Sequence, residues 1–161
     1  CSSDLLALTT AGLVGHAQSL ARTLAAEVSL FELRRGDSMT VRGAATLTAN
    51  ILSGRPHWVQ LLIVGVDSEG GSVYSIDSAG GSIPDSYCAT GSGSPYMYGV
   101  LEDGFKENMT RDAAVALAAR ALSASAQRDA ASGNGMDLAV ITAKDGYVPV
   151  EQSEIAAVLK K

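Results

Sequence analysis

The longest apolar stretch of the chain, Trp58–Val66, is interrupted by one polar residue, Gln60. It is far shorter than the roughly 20 apolar residues that a membrane-spanning helix requires. Its content of valine, leucine and isoleucine predicts a strand that is covered on both faces. The turn sequence Asp67–Gly71 follows, and Ser72–Ile76 supplies a second run of strand-forming residues. Together they predict an antiparallel hairpin.

Two helices are predicted before this hairpin. The first spans Gly15–Arg35, where apolar residues recur at helical spacing and Gly36 provides a stop. Ser38 is the expected N-cap of the second helix, which runs to about Leu52. The turn sequence Ser53–Pro56 then ends this helix.

The C-terminal part of the chain also mixes strands with helices. A third β segment is predicted between Ser82 and Thr90, and Thr110 is a good N-cap for the clearest helix, Arg111–Arg128. The residues predicted to be buried on that helix are Val115, Leu117, Ala118 and Leu122. After it, strands are predicted at Met136–Thr142 and Tyr147–Val150, followed by a short helix that begins at Ser153.

This order of elements determines the predicted fold class. Neighbouring hairpins argue against regular βαβ alternation and favour an antiparallel sheet with helices layered on it, which is an α+β fold. No linker or internal repeat interrupts the chain. Residues 1–161 are therefore expected to form one domain.

Composition and charge exclude several classes of function. The net charge is −5 and the basic residues are scattered, so the chain lacks the basic surface that nucleic-acid binding requires. Cys1, Cys88, His16 and His57 form no ligand pattern, so no metal is expected. The sequence shows no signal peptide and no cofactor motif. We expect a cytoplasmic protein with no membrane partner and no cofactor.

The loop Thr90–Pro95 is the first of three stretches that suggest chemistry. Its sequence, Thr-Gly-Ser-Gly-Ser-Pro, has backbone N–H groups able to form an anion-binding nest. Tyr96 stands where a dinucleotide fingerprint needs its third glycine, and no Gly-Lys pair exists for a Walker A loop. A phosphate-binding loop and a plain strand-to-helix turn both remain open, and the local pattern favours the turn.

The other two stretches lie at the end of a helix and at the end of a strand. In Arg128–Gly133, Asp129 sits where the helix dipole disfavours an anion, which suggests a site shared with Ser132. A solvated aspartate at a glycine-terminated helix is the alternative. In Thr9–Gly15, the glycines permit the close approach of another backbone, and a strand end packed on a helix is the alternative.

These three stretches occur in the order and spacing of one family. They belong to a colinear set that begins near Leu5. The set closely resembles the archaeal proteasome β subunit, a member of the N-terminal nucleophile hydrolases. It comprises Leu8–Gly15, Gln18–Leu20, Glu32–Arg35, Val59–Leu62, Tyr74–Asp77 with Ala79–Gly81, Ala89–Pro95 through Tyr98–Glu102, and Arg128–Gly133.

The resemblance implies a fold and an activity. The fold is a four-layer αββα sandwich of two antiparallel sheets between helices, whose N-terminal strands are expected to be missing here. The activity is that of a threonine-type endopeptidase, in which the α-amino group, with an ordinary pKa of about 7.7–8.0, activates an N-terminal threonine. We expect that threonine to be absent from this chain and residues 1–5 to be a non-native leader. The fragment alone is then expected to be inactive.

The resemblance also assigns residues around the nucleophile. Asp129 and Ser132 are expected to hold the threonine and its amine through hydrogen bonds, and Ser92 to join the same network. Cys1 is not expected to replace the threonine, because it aligns near the start of a later strand. No metal takes part in this chemistry.

A second set of residues is expected to bind the substrate. Gly12 matches the backbone position that pairs with an extended peptide, while Thr10 and Val14 match the wall of the pocket for the residue before the scissile bond. Val14 makes that pocket apolar, which favours large aliphatic or aromatic residues. Two departures are His16, where an aspartate is usual, and the connection Ser53–Trp58, which is shorter than usual.

The partners implied by the resemblance are α subunits, other β subunits in seven-membered rings, unfolded polypeptide substrates and, through the α ring, a regulatory ATPase. A different class of function remains open, namely a structural β-type subunit that assembles without cleaving. The phosphate-ligand protein suggested by the Thr90–Pro95 loop is the third possibility.

Overall fold

A computed structural model describes residues 5–55 and 57–160. The chain divides into two compact units. Unit 1 contains the described residues up to Gly91 together with Ile141–Gly146, and unit 2 contains the remainder. The elements are β1 (Leu6–Gly12), α1 (Val14–Arg35), α2 (Val41–Gly54), β2 (Val59–Asp67), β3 (Gly70–Ile76), β4 (Ser82–Asp85), α3 (Ser94–Gly104), α4 (Arg111–Arg128), β5 (Ala139–Thr142), β6 (Gly146–Pro149) and α5 (Gln152–Leu159).

Unit 1 is built on a four-stranded antiparallel sheet with the order β1-β2-β3-β4. The predicted hairpin is confirmed as β2 and β3, whose pairing closes at Asp67 and Gly70. The Asp67 carboxylate accepts the Glu69 N–H at 2.8 Å and the Val41 N–H at the start of α2, also at 2.8 Å. One turn residue therefore ties the hairpin to a helix.

Helices α1 and α2 supply the apolar side chains that cover one face of this sheet. The buried cluster joins Leu61 and Ile63 of β2 to Leu20 of α1 and to Val41 and Leu52 of α2. These side chains are at most 2 % exposed. The core of unit 1 thus combines period-2 burial on the strand with helical spacing on α1.

The prediction that β2 is covered on both faces is wrong within the described chain. Val59, Leu61 and Ile63 are buried, whereas the alternate residues Leu62 and Val64 are only half-buried. Trp58, at the start of the predicted strand, precedes β2 and is 78 % exposed. The apolar run therefore describes one buried face and one partly covered face.

Two helix starts differ from those predicted. Thr40, and not Ser38, caps α2, because its hydroxyl accepts the Gly43 N–H at 3.1 Å. The Ser38 N–H instead donates to Asp37. Helix α5 begins at Gln152, one residue before the predicted Ser153. The predicted Thr110 cap of α4 is confirmed.

Unit 2 is organised around α4. The predicted buried side of α4 is confirmed at Val115 and Leu117, while Ala118 and Leu122 are half-buried. Arg111 at the start of α4 pairs through its guanidinium with the Glu154 carboxylate of α5. This pairing raises the pKa of Arg111 above its ordinary value. The apolar cluster beneath comprises Val115, Val150 and Ile155 with Met136, Leu138 and Val140.

The predicted α+β class is confirmed. The described residues form five helices, the antiparallel sheet of unit 1 and a two-stranded sheet of β5 and β6. β5 and β6 must run antiparallel, because only a short turn connects them. Within residues 5–55 and 57–160, no helix combines the length and apolar character needed to cross a membrane. The single-domain assignment stays a prediction.

Glycines 70 and 80 of unit 1 allow a matched test of close packing. Both have φ in the left-handed region, at 108° and 91°. A Cβ on Gly70 meets nothing within 4 Å, whereas one on Gly80 overlaps the Ala49 carbonyl of α2. We expect Gly70→Ala to lower the stability by about 1–3 kcal/mol through backbone strain alone. Gly80→Ala should cost clearly more, because α2 must also shift.

Thermal melts and urea unfolding of the two variants measure this difference. Gly54→Ala, at the open end of α2, is the control and should change little. Equal losses for Gly70→Ala and Gly80→Ala would show that the Gly80 turn does not pack tightly on α2.

Candidate active site

Three of the predicted site residues meet in unit 2. Ser92 precedes α3, Asp129 is the residue that ends α4, and Ser132 lies in the following turn. The hydroxyls of Ser92 and Ser132 each donate to Oδ2 of Asp129, and both distances are 2.6 Å. The structure therefore brings Ser92, Asp129 and Ser132 together on one carboxylate oxygen.

Local backbone geometry explains how Asp129 reaches both hydroxyls. Its N–H still donates to the Ser125 carbonyl of α4 at 2.8 Å, but its own φ and ψ of −99° and 116° leave the helix. The chain then turns, because the Ser132 N–H donates to the Asp129 carbonyl at 3.1 Å. The Ala131 N–H also donates to Asp129 Oδ1 at 3.2 Å. Both carboxylate oxygens are thus held by the turn.

These hydrogen bonds favour the ionised form of Asp129. The hydroxyl of Ser132, then that of Ser92, and finally the Ala131 N–H hold the pKa of Asp129 below its ordinary value of 3.8. They oppose both desolvation and the unfavourable negative end of the α4 dipole. An ionised carboxylate only accepts hydrogen bonds. It is therefore suited to orienting hydroxyl and ammonium donors at neutral pH.

A fourth hydroxyl, which the sequence did not single out, lies behind this group. Ser125 Oγ is 2.9 Å from Ser132 Oγ, and Ser125 is only 4 % exposed. A Cβ added to Gly93 would overlap Ser125 Oγ and would come within 2.9 Å of Ser132 Oγ. The sequence signal was available, because Ser125 lies one helical turn before Asp129. Nothing else in the sequence distinguished it from Ser123, the other serine of α4.

The predicted substrate-binding residues lie in unit 1, at the junction of β1 and α1. Thr10 is exposed and lies opposite Leu61 in the β1–β2 ladder. Gly12 ends β1 with φ of 119°, and a Cβ there would overlap the Trp58 carbonyl. Val14, the first residue of α1, is 68 % exposed. The end of β1 is thus followed, two residues later, by the exposed apolar side chain of Val14.

His16 contributes to this junction. Its Nδ1 accepts the Trp58 N–H at 3.3 Å, while the Trp58 carbonyl accepts the Leu13 N–H at 2.9 Å. The His16 and His57 rings meet edge to face with centroids 5.2 Å apart. His16 therefore links the connection before β2 to the first turn of α1.

The Thr90–Pro95 loop has ordinary hydrogen-bond partners at two points. The Gly91 N–H donates to the Gln60 side chain at 3.4 Å, and the Gly93 carbonyl accepts from Tyr96 and Met97 as α3 begins. Pro95 occupies the first turn of α3, where a missing N–H costs nothing. The part of the chain that the structure describes contains no group of three or more His, Cys, Asp or Glu residues placed to hold a metal ion.

Comparisons with known proteins identify the family of this chain. The model of the proteasome subunit family matches residues 3–141. A proteasome subunit beta from Thermoplasma acidophilum is 49 % identical over 157 residues, covering 96 % of this chain and 74 % of the relative. Two others, from Methanobrevibacter ruminantium and Archaeoglobus profundus, are 46 % and 48 % identical, covering 97 % and 98 % of this chain and 75 % and 74 % of the relatives.

The depressed pKa of Asp129 makes its stabilising effect dependent on pH. Because the folded-state pKa lies below 3.8, the ionised form favours folding, and this contribution is complete above that value. It is lost as the pH falls through the folded-state pKa. Asp129→Asn should therefore lower the free energy of unfolding near neutral pH, and the difference from the wild type should shrink below about pH 4.

Urea unfolding at a series of pH values measures this difference. Asp103→Asn, an exposed carboxylate on α3, is the matched control. If the difference in the free energy of unfolding between wild type and Asp129→Asn stays constant as the pH falls below about 4, the charge of Asp129 does not stabilise the fold.

Proposed function

The chain belongs to the proteasome subunit family as a β subunit, and we propose that it forms the supporting half of a threonine-type endopeptidase site. The observation that carries the proposal is the pair of hydroxyls, Ser92 and Ser132, that converge on one oxygen of Asp129. Proteasome β subunits are generally proteases. The proposal adds which residues of this chain serve the reaction and how they serve it.

The proposed nucleophile is the hydroxyl of an N-terminal threonine carried upstream of these 161 residues in the intact subunit. A hydroxyl is a weak nucleophile until a base takes its proton, and an α-amino group with a pKa of about 7.7–8.0 is matched to that task at neutral pH. The threonine oxygen attacks the peptide carbonyl carbon while its proton passes to the amine. The resulting ammonium gives a proton to the leaving amine of the substrate, and an ester is left on the threonine.

Water completes the reaction. The free α-amino group takes a proton from water, the resulting hydroxide attacks the ester carbon, and the threonine oxygen regains its proton as it leaves. The atoms balance with water alone, so the proposal names no cofactor. Throughout, Asp129 remains ionised, and it orients Ser92 and Ser132 while its charge favours the ammonium form of the nearby amine.

Unit 1 provides the proposed substrate-binding residues. In this proposal, an extended peptide pairs with the backbone at the end of β1, near Gly12. Thr10 and Val14 then line the pocket for the side chain before the scissile bond. The exposed apolar side chain of Val14 favours a large aliphatic or aromatic residue at that position.

A proteasome β subunit works inside a proteasome complex, and the finer assembly is proposed. We place the chain in seven-membered β rings flanked by rings of α subunits, with unfolded polypeptides as substrates. A regulatory ATPase acts through the α ring, and the particle is cytoplasmic. The alternative is a structural β subunit, which assembles into the particle but does not cleave peptides.

The role of Asp129 predicts a large loss of activity from a small change. In particles assembled with α subunits from the native gene, including any coding sequence upstream of Cys1, Asp129→Asn should lower kcat by about 10²–10⁴-fold. Glu102→Gln, an exposed carboxylate on α3, is the control and should retain activity. Only variants shown to assemble are compared. Similar turnover in both variants would remove Asp129 from the site.

The pocket assignment predicts a preference among peptides. With the same assembled particles, fluorogenic peptides that end in Leu or Tyr should be cleaved about 10-fold or more faster than those that end in Glu, because an apolar pocket cannot solvate a carboxylate. Faster cleavage after Glu would show that Thr10, Gly12 and Val14 do not form the pocket. Assembly without any hydrolysis would favour the structural subunit.

A further inference from the structure

Ser125 is one of two buried polar side chains in the described part of the chain, the other being Thr48. The two hydroxyls are satisfied in different ways. Thr48 donates to the Ala44 carbonyl of its own helix at 2.8 Å, as buried helix hydroxyls often do. Ser125 is within 2.9 Å of the side chain of Ser132, which lies beyond the end of its helix. The buried hydroxyl of Ser125 therefore contacts a residue of the proposed site outside its own helix.

The number of protons fixes the direction of this contact. A serine hydroxyl carries one hydrogen and two lone pairs. Ser132 spends its hydrogen on Asp129 Oδ2, which is ionised and unable to donate. Ser125 must then be the donor and Ser132 Oγ the acceptor. The hydroxyls form a directed chain from Ser125 to Ser132 to Asp129, and Ser92 reaches the same oxygen independently.

Gly93 encloses this chain of hydroxyls. Its Cα faces the two hydroxyls so closely that an added Cβ would overlap Ser125 Oγ and crowd Ser132 Oγ. Gly93 is itself buried. Gly93 therefore packs directly against the contact between Ser125 and Ser132. An unpaired buried hydroxyl is costly, and the cost holds Ser125 and Ser132 to each other.

We propose that Ser125 is a positioning residue, whose buried hydroxyl donates to Ser132 Oγ and thereby commits the Ser132 proton to Asp129. Donation to a hydroxyl polarises it, which strengthens the hydrogen bond that it makes in turn. It also leaves Ser132 Oγ with a single free lone pair, aimed by the other two bonds. In the proposed reaction, that lone pair is the acceptor that Ser132 offers to the amine of the nucleophile.

The Asp129 carboxyl reports on this chain of bonds without requiring catalysis. The test follows the ¹³C signal of the Asp129 carboxyl during a pH titration of the subunit expressed from its native gene, including any coding sequence upstream of Cys1, and of its variants. Ser125→Ala should raise the midpoint, and Ser132→Ala should raise it more. Ser123→Ala is the matched control, because Ser123 lies on the same helix and contacts only Gln127 among the side-chain bonds described. Its midpoint should not move.

A double variant decides whether Ser125 acts through Ser132. In the Ser132→Ala background, adding Ser125→Ala should produce no further change in the midpoint. Ser125→Ala is expected to fold, since alanine is the better helix former. An unchanged midpoint in Ser125→Ala, or a further rise in the double variant, would overturn the proposal.

The catalytic consequence rests on the proposed function and is tested separately. In assembled particles, Ser125→Ala should lower kcat and leave KM unchanged, while Ser123→Ala changes neither. If wild-type particles cleave no peptide, the proposed function fails, yet the titration still decides the role of Ser125. If wild-type particles are active and Ser125→Ala retains full kcat, the positioning role is wrong.

Discussion

The site depends on a single carboxylate oxygen, Oδ2 of Asp129, that accepts two hydroxyl hydrogens at 2.6 Å. An aspartate at the C-terminal end of a helix faces an adverse dipole, and the hydroxyls of Ser92 and Ser132 compensate for it. These two hydrogen bonds also orient the side chains of Ser92 and Ser132 and favour the ionised form of the carboxylate. The loop before α3 and the turn after α4 are joined at this point within unit 2. Their conformations are therefore set by the same contact that the proposed chemistry requires.

The surrounding backbone is shaped to permit that contact. Gly93 leaves the space that the hydroxyls of Ser125 and Ser132 occupy, and the turn at Asp129 redirects the chain so that Ser132 returns to the carboxylate. In unit 1 a similar close approach occurs at Gly12, where the absence of a side chain leaves room for the Trp58 carbonyl. Gly93 and Gly12 thus both lie where another part of the chain approaches the backbone closely.

Much of this arrangement could be predicted from the sequence. Periodicity located α1, α4 and the β2–β3 hairpin, because their apolar residues match the burial pattern of one helix or strand face. The adverse position of Asp129 at a helix end left a site and a solvated aspartate both open, and the family resemblance favoured the site. The cap of α2 was misplaced, since serine is the better N-cap in isolation whereas the structure uses Thr40. The tertiary bond from Val41 to Asp67 helps to fix the start of that helix beside Thr40.

Other features were beyond the reach of the sequence. Ser125 resembles Ser123, the other serine of α4, until the helix is packed. Of the two, only Ser125 is buried, and its hydroxyl contacts Ser132. The half-covered face of β2 was missed because an apolar run records hydrophobicity and not the neighbour that covers it. The role of His16 was also hidden, since its partner is a backbone N–H far along the chain. Each omission concerns burial or a contact that exists only once the chain is folded.

The central claim is that Asp129 and its hydroxyls surround the reacting threonine of a proteasome β subunit. The most direct measurement is electron cryo-microscopy of the assembled particle after reaction with an electrophilic peptide. The account predicts a covalent adduct on an N-terminal threonine whose amine lies within hydrogen-bond distance of Ser132 or Asp129, at about 2.7–3.2 Å. An adduct on another residue such as Cys1, or one remote from Asp129, would contradict it.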